Sequence, residues 1–430
     1  MANDKDFVVN GPVVVGKDTK VTVGTVTSGA VDLSTGNYFT DSPSGDYTYS
    51  FNNPGSVQAF QIEATGGSAA VASTFNTTLY TGTNATNSIN NGLNLSTDGG
   101  LVWIKSRNAN NTSYHQLYDT ERGINIPLSS NGTGGQSTSA NSLTAFNTTG
   151  FTLGSADASN SSVDNFVSWT FKEQTKFFDI VTYTGTGSAQ NISHSLGSVP
   201  GMIIVKQTDA TNNWMVQHIA FGGSHRLELN STDSAGTTSS VWNNTDPTST
   251  VFTVGAHTGT NASGGNYVAY LFAHDTASDG LIQCGSYTGN GASGNAVTLG
   301  WKPQFIIIKS STGIRNWIMF DSARGMTTGN DPYLLPNTDG AEGTTTDWLD
   351  ATATGFELQA ENSVNASGEN FIYMAIRSAS APAITWPTSI EWTQGTTPKT
   401  PAEGATDVYT FTTDDGGTTY TGIQSIDTAS

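Results

Sequence analysis

The chain repeats itself. Five landmarks occur three times in the same order, roughly 100 residues apart, and a repeat of that length constrains the architecture before any local propensity is weighed. Each copy opens on Tyr-Thr-Gly, at Tyr80, Tyr183 and Tyr287. An apolar run closed by lysine follows, ending at Lys105, Lys206 and Lys309. A second apolar segment starts at His115, Trp214 or Trp317 and reaches a glycine at Gly123, Gly222 or Gly325, the three aligning without gaps. A glycine-poised strand around Phe151, Phe252 and Phe356 comes next, then a last strand that begins at Asn165, Asn266 and Asn370.

The lysine-closed runs are short, apolar and rich in β-branched residues, which suits central strands covered on both faces. Their lysines read as solvated strand ends. Thr, Ser, Asn and Gly dominate the composition and strong helix formers are scarce, so local preference favours strands and turns. Stretches such as 129–142 and 232–240 read as loops, and loops on a rigid scaffold are where recognition is expected. The expected fold class is all-β, with each copy an antiparallel β-sandwich. The expected organisation is an N-terminal β segment over 1–75, copies over 76–176, 177–278 and 279–380, and a C-terminal β-hairpin segment over 381–430. Strands are expected over 13–26 and around Phe51 and Phe60 in the first segment. In the last segment, two Thr/aromatic strands flank Asp414-Asp415-Gly416-Gly417, a tight-turn signal.

With 35 acidic against 16 basic residues, the net charge of −19 repels phosphate backbones, so nucleic acid is not an expected partner. No stretch approaches the roughly 18 apolar residues of a membrane span, so membrane insertion is not expected either. The opening residues lack the basic start and apolar core of a secretory leader. Cys284 is the single cysteine, which excludes an intramolecular disulfide and reads as a small buried strand residue. Asn-X-Ser/Thr triplets at Asn84, Asn147, Asn261 and Asn365 follow from composition and carry no weight.

Residues 32–67 and 384–422 each resemble a module of tailed-bacteriophage fibre proteins of the cyanophage type, where the two segments belong to one β-domain. The copies resemble an uncharacterised domain of phage virion proteins. Its pattern joins Tyr-Thr-Gly, a proline before the lysine-closed run, and Asp-Ser-X-Arg-Gly; copy three carries it through Tyr287, Pro303, Lys309, Asp321, Ser322, Arg324 and Gly325. Copy one keeps Asp119 and Arg122 without the proline, whereas copy two has Pro200 but puts His218 and Phe221 where the aspartate and arginine belong. The resemblance implies a virion structural protein, a tail fibre or tailspike-type adhesin assembled in the bacterial host cytoplasm and homotrimeric. Its partners would be other virion proteins and a host-surface glycan or protein receptor. The competing readings are a capsid-decorating or tail-hub protein without receptor contact and a polysaccharide-degrading tailspike. If the end segments form one split β-domain, the three copies are an insertion within it.

Six residues are candidates for binding: Asp119 with Arg122, Asp321 with Arg324, and Trp214 and Trp317 as stacking platforms. Against a binding role, a pair missing from one copy reads as a replaceable turn-stabilising ion pair, and both tryptophans open an apolar segment. No histidine stands in a repeated relation to a nucleophile elbow and no paired-carboxylate cleft is legible, so no catalytic residue, enzyme activity or cofactor is expected. Asp407 with Asp414 and Asp415 is the one hint of a metal site, and a hairpin turn accounts for it better.

Overall fold

The computed structural model describes residues 23–27, 30–33, 38–41, 47–48, 50–52, 59–65, 70–108, 114–277, 280–326, 329–378, 384–393, 395, 397–398, 406–413 and 418–427. The protein is all-β: among the described residues the α-helices are four single turns of four residues each. The chain divides into two compact units, Met1–Ala69 with Ser380–Ser430, and Ala70–Ala379.

In the first unit the two ends of the chain share one eight-stranded sheet. Thr406–Thr412 runs antiparallel to Ala59–Thr65 over seven residue pairs, and Ile384–Thr385 pairs in parallel with Tyr47–Thr48. Aromatic side chains close the core from both sides, with Phe60 stacked on Phe411 at 5.0 Å and Phe51 edge-on to Tyr420 at 5.1 Å. Thr406–Thr412 and Tyr420–Asp427 pair as the hairpin expected from their alternation, with a bulge at Val408/Tyr409. Asp414 and Asp415, and the expected strand ahead of Val23, lie outside the described residues.

In the second unit each copy contains two antiparallel sheets. Copy one has a four-stranded sheet in the order Gln116–Asp119, Gly100–Ser106, Asn165–Lys172, Phe75–Thr81, and a three-stranded sheet of Leu143–Asn147, Gly150–Leu153 and Asn87–Asn90. Copy three repeats both. Copy two extends its larger sheet with His225–Glu228 and Gly236–Thr237 and reduces the smaller one to Gln190–Ser193 and Val251–Val254.

The landmarks now have physical reasons. The tyrosine of Tyr-Thr-Gly stacks on the first aromatic of the last strand, Tyr80 on Phe166, Tyr183 on Tyr267 and Tyr287 on Phe371, at 5.1–5.2 Å. Its hydroxyl donates to a carbonyl of the short helix just before that strand, that of Ser159, Thr260 or Val364. The glycine is required by close approach: a Cβ on Gly82, Gly185 or Gly289 would sit 2.0–2.2 Å from a backbone carbonyl oxygen. A buried asparagine five residues before each last strand fastens the same corner. Asn160, Asn261 and Asn365 donate to carbonyls on both flanking loops, Ala85 and Gly154, Ser188 and Gly255, Ala292 and Gln359 respectively. Two of these are the triplet asparagines attributed above to composition. Their constant offset from Asn165, Asn266 and Asn370 was the available signal.

In copies one and two the lysine-closed strands are buried throughout, from Gly100 to Ser106 and from Pro200 to Gln207, and in copy three Gln304 alone is half-buried. Side chains alternate between faces along a strand. Val102 and Ile104 in copy one, and Ile306 and Ile308 in copy three, belong to the core inside their own copy. The alternate residues of copy three turn toward its neighbours: the Phe305 ring meets Trp169 and Phe171 of copy one, and Lys309 reaches copy two. Coverage on both faces therefore comes half from the sandwich and half from adjacent copies. Cys284 is buried in a strand, and burial raises its thiol pKa far above the ordinary value.

Candidate functional site: the inter-copy turns

The three copies close on one another in a ring, because each class of contact occurs in the same rotational sense at all three junctions. The first class is backbone to backbone. The N–H of Gln136 in copy one donates to Thr208 O in copy two at 2.6 Å, Ala235 in copy two to Ser311 O in copy three at 2.8 Å, and Glu342 in copy three back to Arg107 O in copy one at 3.2 Å. The acceptor stands two residues after the closing lysine each time.

The second class involves the residue opening the second apolar segment. Trp214 Nε1 donates to Ser129 O of copy one at 2.9 Å, and Trp317 Nε1 to Glu228 O of copy two at 3.0 Å. His115 Nε2 lies 3.1 Å from Leu335 O of copy three, completing the circuit. Trp214 and Trp317 are 0% and 1% exposed, so neither is a stacking platform for an outside ligand; each is a peg in the neighbouring copy.

The lysines form the third class, and the expectation that they are solvated is overturned: Lys105, Lys206 and Lys309 are each 0% exposed. Lys206 Nζ donates to Gln207 O of its own strand at 2.9 Å and to Thr133 O of copy one at 3.1 Å. Lys309 Nζ donates to Ser310 O at 2.7 Å and to Thr232 O of copy two at 3.2 Å. Lys105 Nζ donates to Ser106 O at 2.9 Å, and Asp339 of copy three favours its charge. Burial lowers all three pKa values to about 8, since an ammonium group out of water is costly even when carbonyl oxygens receive it. The acceptors come from the Thr/Ser/Gly-rich loops. Those loops, expected to carry recognition, spend part of their backbone joining the copies.

The fourth class holds the charged candidates. Asp119 is 0% exposed and takes Arg122 Nε at 2.6 Å, while the Tyr270 hydroxyl of copy two donates to the same carboxylate at 2.7 Å. Asp321 is equally buried and takes Arg324 Nε at 2.5 Å, while Trp169 Nε1 of copy one donates to it at 2.9 Å. The Arg324 guanidinium lies over the Trp169 ring, 5.4 Å from its centroid. Both arginines also donate to the preceding strand, at Leu117 O and Met319 O, which holds the turn closed. In copy two the equivalent residue is His218, also 0% exposed, whose Nε2 lies 3.1 Å from Tyr373 O of copy three.

The side chains of all six candidate binding residues thus lie buried inside the ring, in contacts within a turn or between copies. They are unavailable to a ligand outside it. What they do is fix copy against copy through desolvated, hydrogen-bonded charge, an arrangement in which losing one partner is far more costly than losing an exposed pair. Among the described residues, no group of three or more His, Cys, Asp or Glu side chains is placed to hold a metal ion.

Fold and junctions together define a class of protein: a single chain whose three β-sandwich copies close into a pseudo-threefold ring, accompanied by a β-unit built from both chain ends. Residues 71–380 match the family described as a domain of unknown function, DUF7483, and the chain belongs to that family. The match spans all three copies and coincides almost to the residue with the Ala70–Ala379 unit. No curated protein sequence matches the chain. A solved structure described as the STIV MCP matches with 7% identity and a TM-score of 0.15, over 46% of this chain and 85% of that one. A score that low carries no argument.

Proposed function

We propose that this chain is a structural protein of a tailed-bacteriophage virion, a tail fibre or tailspike-type adhesin that holds the particle to the bacterial surface and performs no chemistry there. The sequence resemblance of copy three and of both end segments to such proteins supports the reading. The structural observation that carries it is the closure of three copies into one ring by buried contacts. A closed ring presents related surfaces in a fixed mutual geometry, so several weak contacts add without each bearing the ordering cost alone. The end unit would join the chain to other virion proteins, after assembly in the host cytoplasm.

Three copies in one chain already supply threefold closure, so the ring itself does not require the homotrimer expected from the resemblance. Light scattering on the purified chain distinguishes one ring per particle from three. The attachment reading is tested by incubating fluorescently labelled protein with host and non-host bacteria. Saturable binding to the host that blocks phage adsorption is the expected result, and equal binding to both cell types would sink the proposal. Ring closure within one chain also suits a local threefold position on a capsid shell, which keeps capsid decoration as a second reading. Immunogold labelling of intact virions on the head, with none on the tail, would select it.

A further inference from the structure

Copy two differs from its neighbours at a second point, immediately before His218. The aligned residues of copies one and three, Tyr118 and Phe320, are fully buried aromatics that fill the sandwich core. Copy two has Gln217 there. A cavity of about 170 Å³ opens beside it, lined by the start of the Pro200–Gln207 strand, the end of Met215–His218, and Gly222, Asp246 and Pro247.

The polar groups of this cavity are few. Gln217 is 3% exposed, and its Nε2 has no hydrogen-bond partner. A buried amide donor left unpaired is destabilising, and a ligand oxygen accepting from it recovers that cost. Asp246, an exposed residue of the same lining, is held by the Gly223 N–H, which donates to Oδ1 at 2.7 Å. The carboxylate has room because residue 222 is glycine, whose added Cβ would lie 2.3 Å from that oxygen. The rest of the wall is apolar: Pro200, Met202 and Pro247 inside, with Val199 and Ile219, each 41% exposed, at the mouth. His218 contributes no free nitrogen, because Nδ1 accepts from the Ala220 N–H and Nε2 donates to Tyr373 O.

We propose that this cavity of copy two is a binding site for a neutral, hydroxylated ring ligand, a single saccharide residue. The Gln217 amide, unpartnered and closed off from water in the free chain, turns so that one ring oxygen or hydroxyl accepts from Nε2, a hydroxyl donates to the Asp246 carboxylate, and the apolar face of the ring lies on Val199, Ile219 and Pro247. A small apolar pocket with a few placed polar groups is the usual form of such a site. Asp246 and the chain's net charge of −19 select against anions. A single carboxylate provides no cation cage. The site's biological role rests on the attachment reading; its existence does not.

The test is saturation-transfer NMR on the full chain with a panel of neutral methyl glycosides at millimolar concentration, with a methyl glucuronide as the anionic control. Transfer from at least one neutral glycoside is expected, falling at least tenfold in Gln217→Phe, which places copy three's residue in copy two, and about threefold or more in Asp246→Asn. Val199→Trp blocks the mouth from outside the core and serves as a second variant where Gln217→Phe perturbs folding. No transfer from any neutral glycoside, equal transfer in both blocking variants, or preference for the glucuronide would overturn the proposal. Host-cell binding that persists in Gln217→Phe, with glycoside transfer lost, leaves the cavity assignment standing and moves attachment elsewhere on the chain. Glycoside transfer by a chain that binds no cells sinks attachment alone.

Discussion

The turns at Asp119 and Asp321 and the turn at His218 occupy equivalent places in the ring yet are stabilised in different ways. The reason lies in the copy opposite. Asp119 faces Tyr270 and Asp321 faces Trp169, and both of those residues stand fifth in their last strands. Fifth in the last strand of copy three is Met374, which has no donor to offer. The copy-two turn faces that strand, so an aspartate there would be a buried carboxylate lacking its cross-copy partner. A neutral histidine donating to Tyr373 O satisfies the junction instead, and with no carboxylate to pair, arginine gives way to Phe221. The changes in copies two and three are thus the two halves of one substitution across a junction.

The largest expected effect comes from breaking a charged turn on one side. Asp321→Ala leaves the Arg324 side chain, 0% exposed, with Glu342 at 3.3 Å as its remaining carboxylate, and unfolding free energy should fall by about 3 kcal/mol, the low end for breaking a buried pair. Denaturant melts giving a loss below about 1 kcal/mol would show that the pair is peripheral to ring stability. Converting copy two to the charged solution is the complementary experiment. His218→Asp alone should cost about 3 kcal/mol, and adding Met374→Tyr with Phe221→Arg should recover most of it, because contacting residues couple. Additive losses in the triple variant would refute the paired-change account.

Acid distinguishes the two kinds of turn next. Burial lowers the His218 pKa from 6.5 to about 4. Between those values the unfolded chain binds the proton and the folded one does not, so stability is lost as pH falls from 6.5 toward 4, on the order of 3 kcal/mol for this one group. His115 is shifted in the same direction by burial and adds to the slope. His218→Gln should therefore give a shallower, still acid-sensitive profile in pH-dependent melts, and an unchanged slope would place the titration elsewhere. The smallest effect is expected from Tyr270→Phe, which removes a hydroxyl that donates to Asp119 and accepts a long bond from Arg122 Nη2 at 3.4 Å while the Asp119–Arg122 pair remains, at about 1.5 kcal/mol by chemical denaturation.

Much of the fold was readable from the amino-acid order. Alternation and β-branched runs marked the strands, and Tyr-Thr-Gly marked the start of each copy; that its glycine sits where a close backbone approach excludes any Cβ emerged only from the structure. The site was less legible, for a consistent reason. Trp214 and Trp317 looked alike whether they faced solvent or a neighbour, since an aromatic at the start of an apolar run satisfies both. The lysines looked solvated because a charge at a strand end normally is; the carbonyls that receive Lys206 and Lys309 come from Thr133 and Thr232, more than 70 residues away in another copy. Gln217 could be seen to depart from Tyr118 and Phe320, but only packing reveals that the departure leaves a cavity.

Sequence by itself determined the number of copies, the strands within each and the residues permitted at their corners, because these depend on neighbours close along the chain. Tertiary structure alone decided which copy faces which, that the third returns to the first, and hence why copy two carries histidine where its siblings carry aspartate. Those outcomes depend on what lies opposite a side chain across a junction, and aligning the copies compares equivalent positions without saying which of them meet.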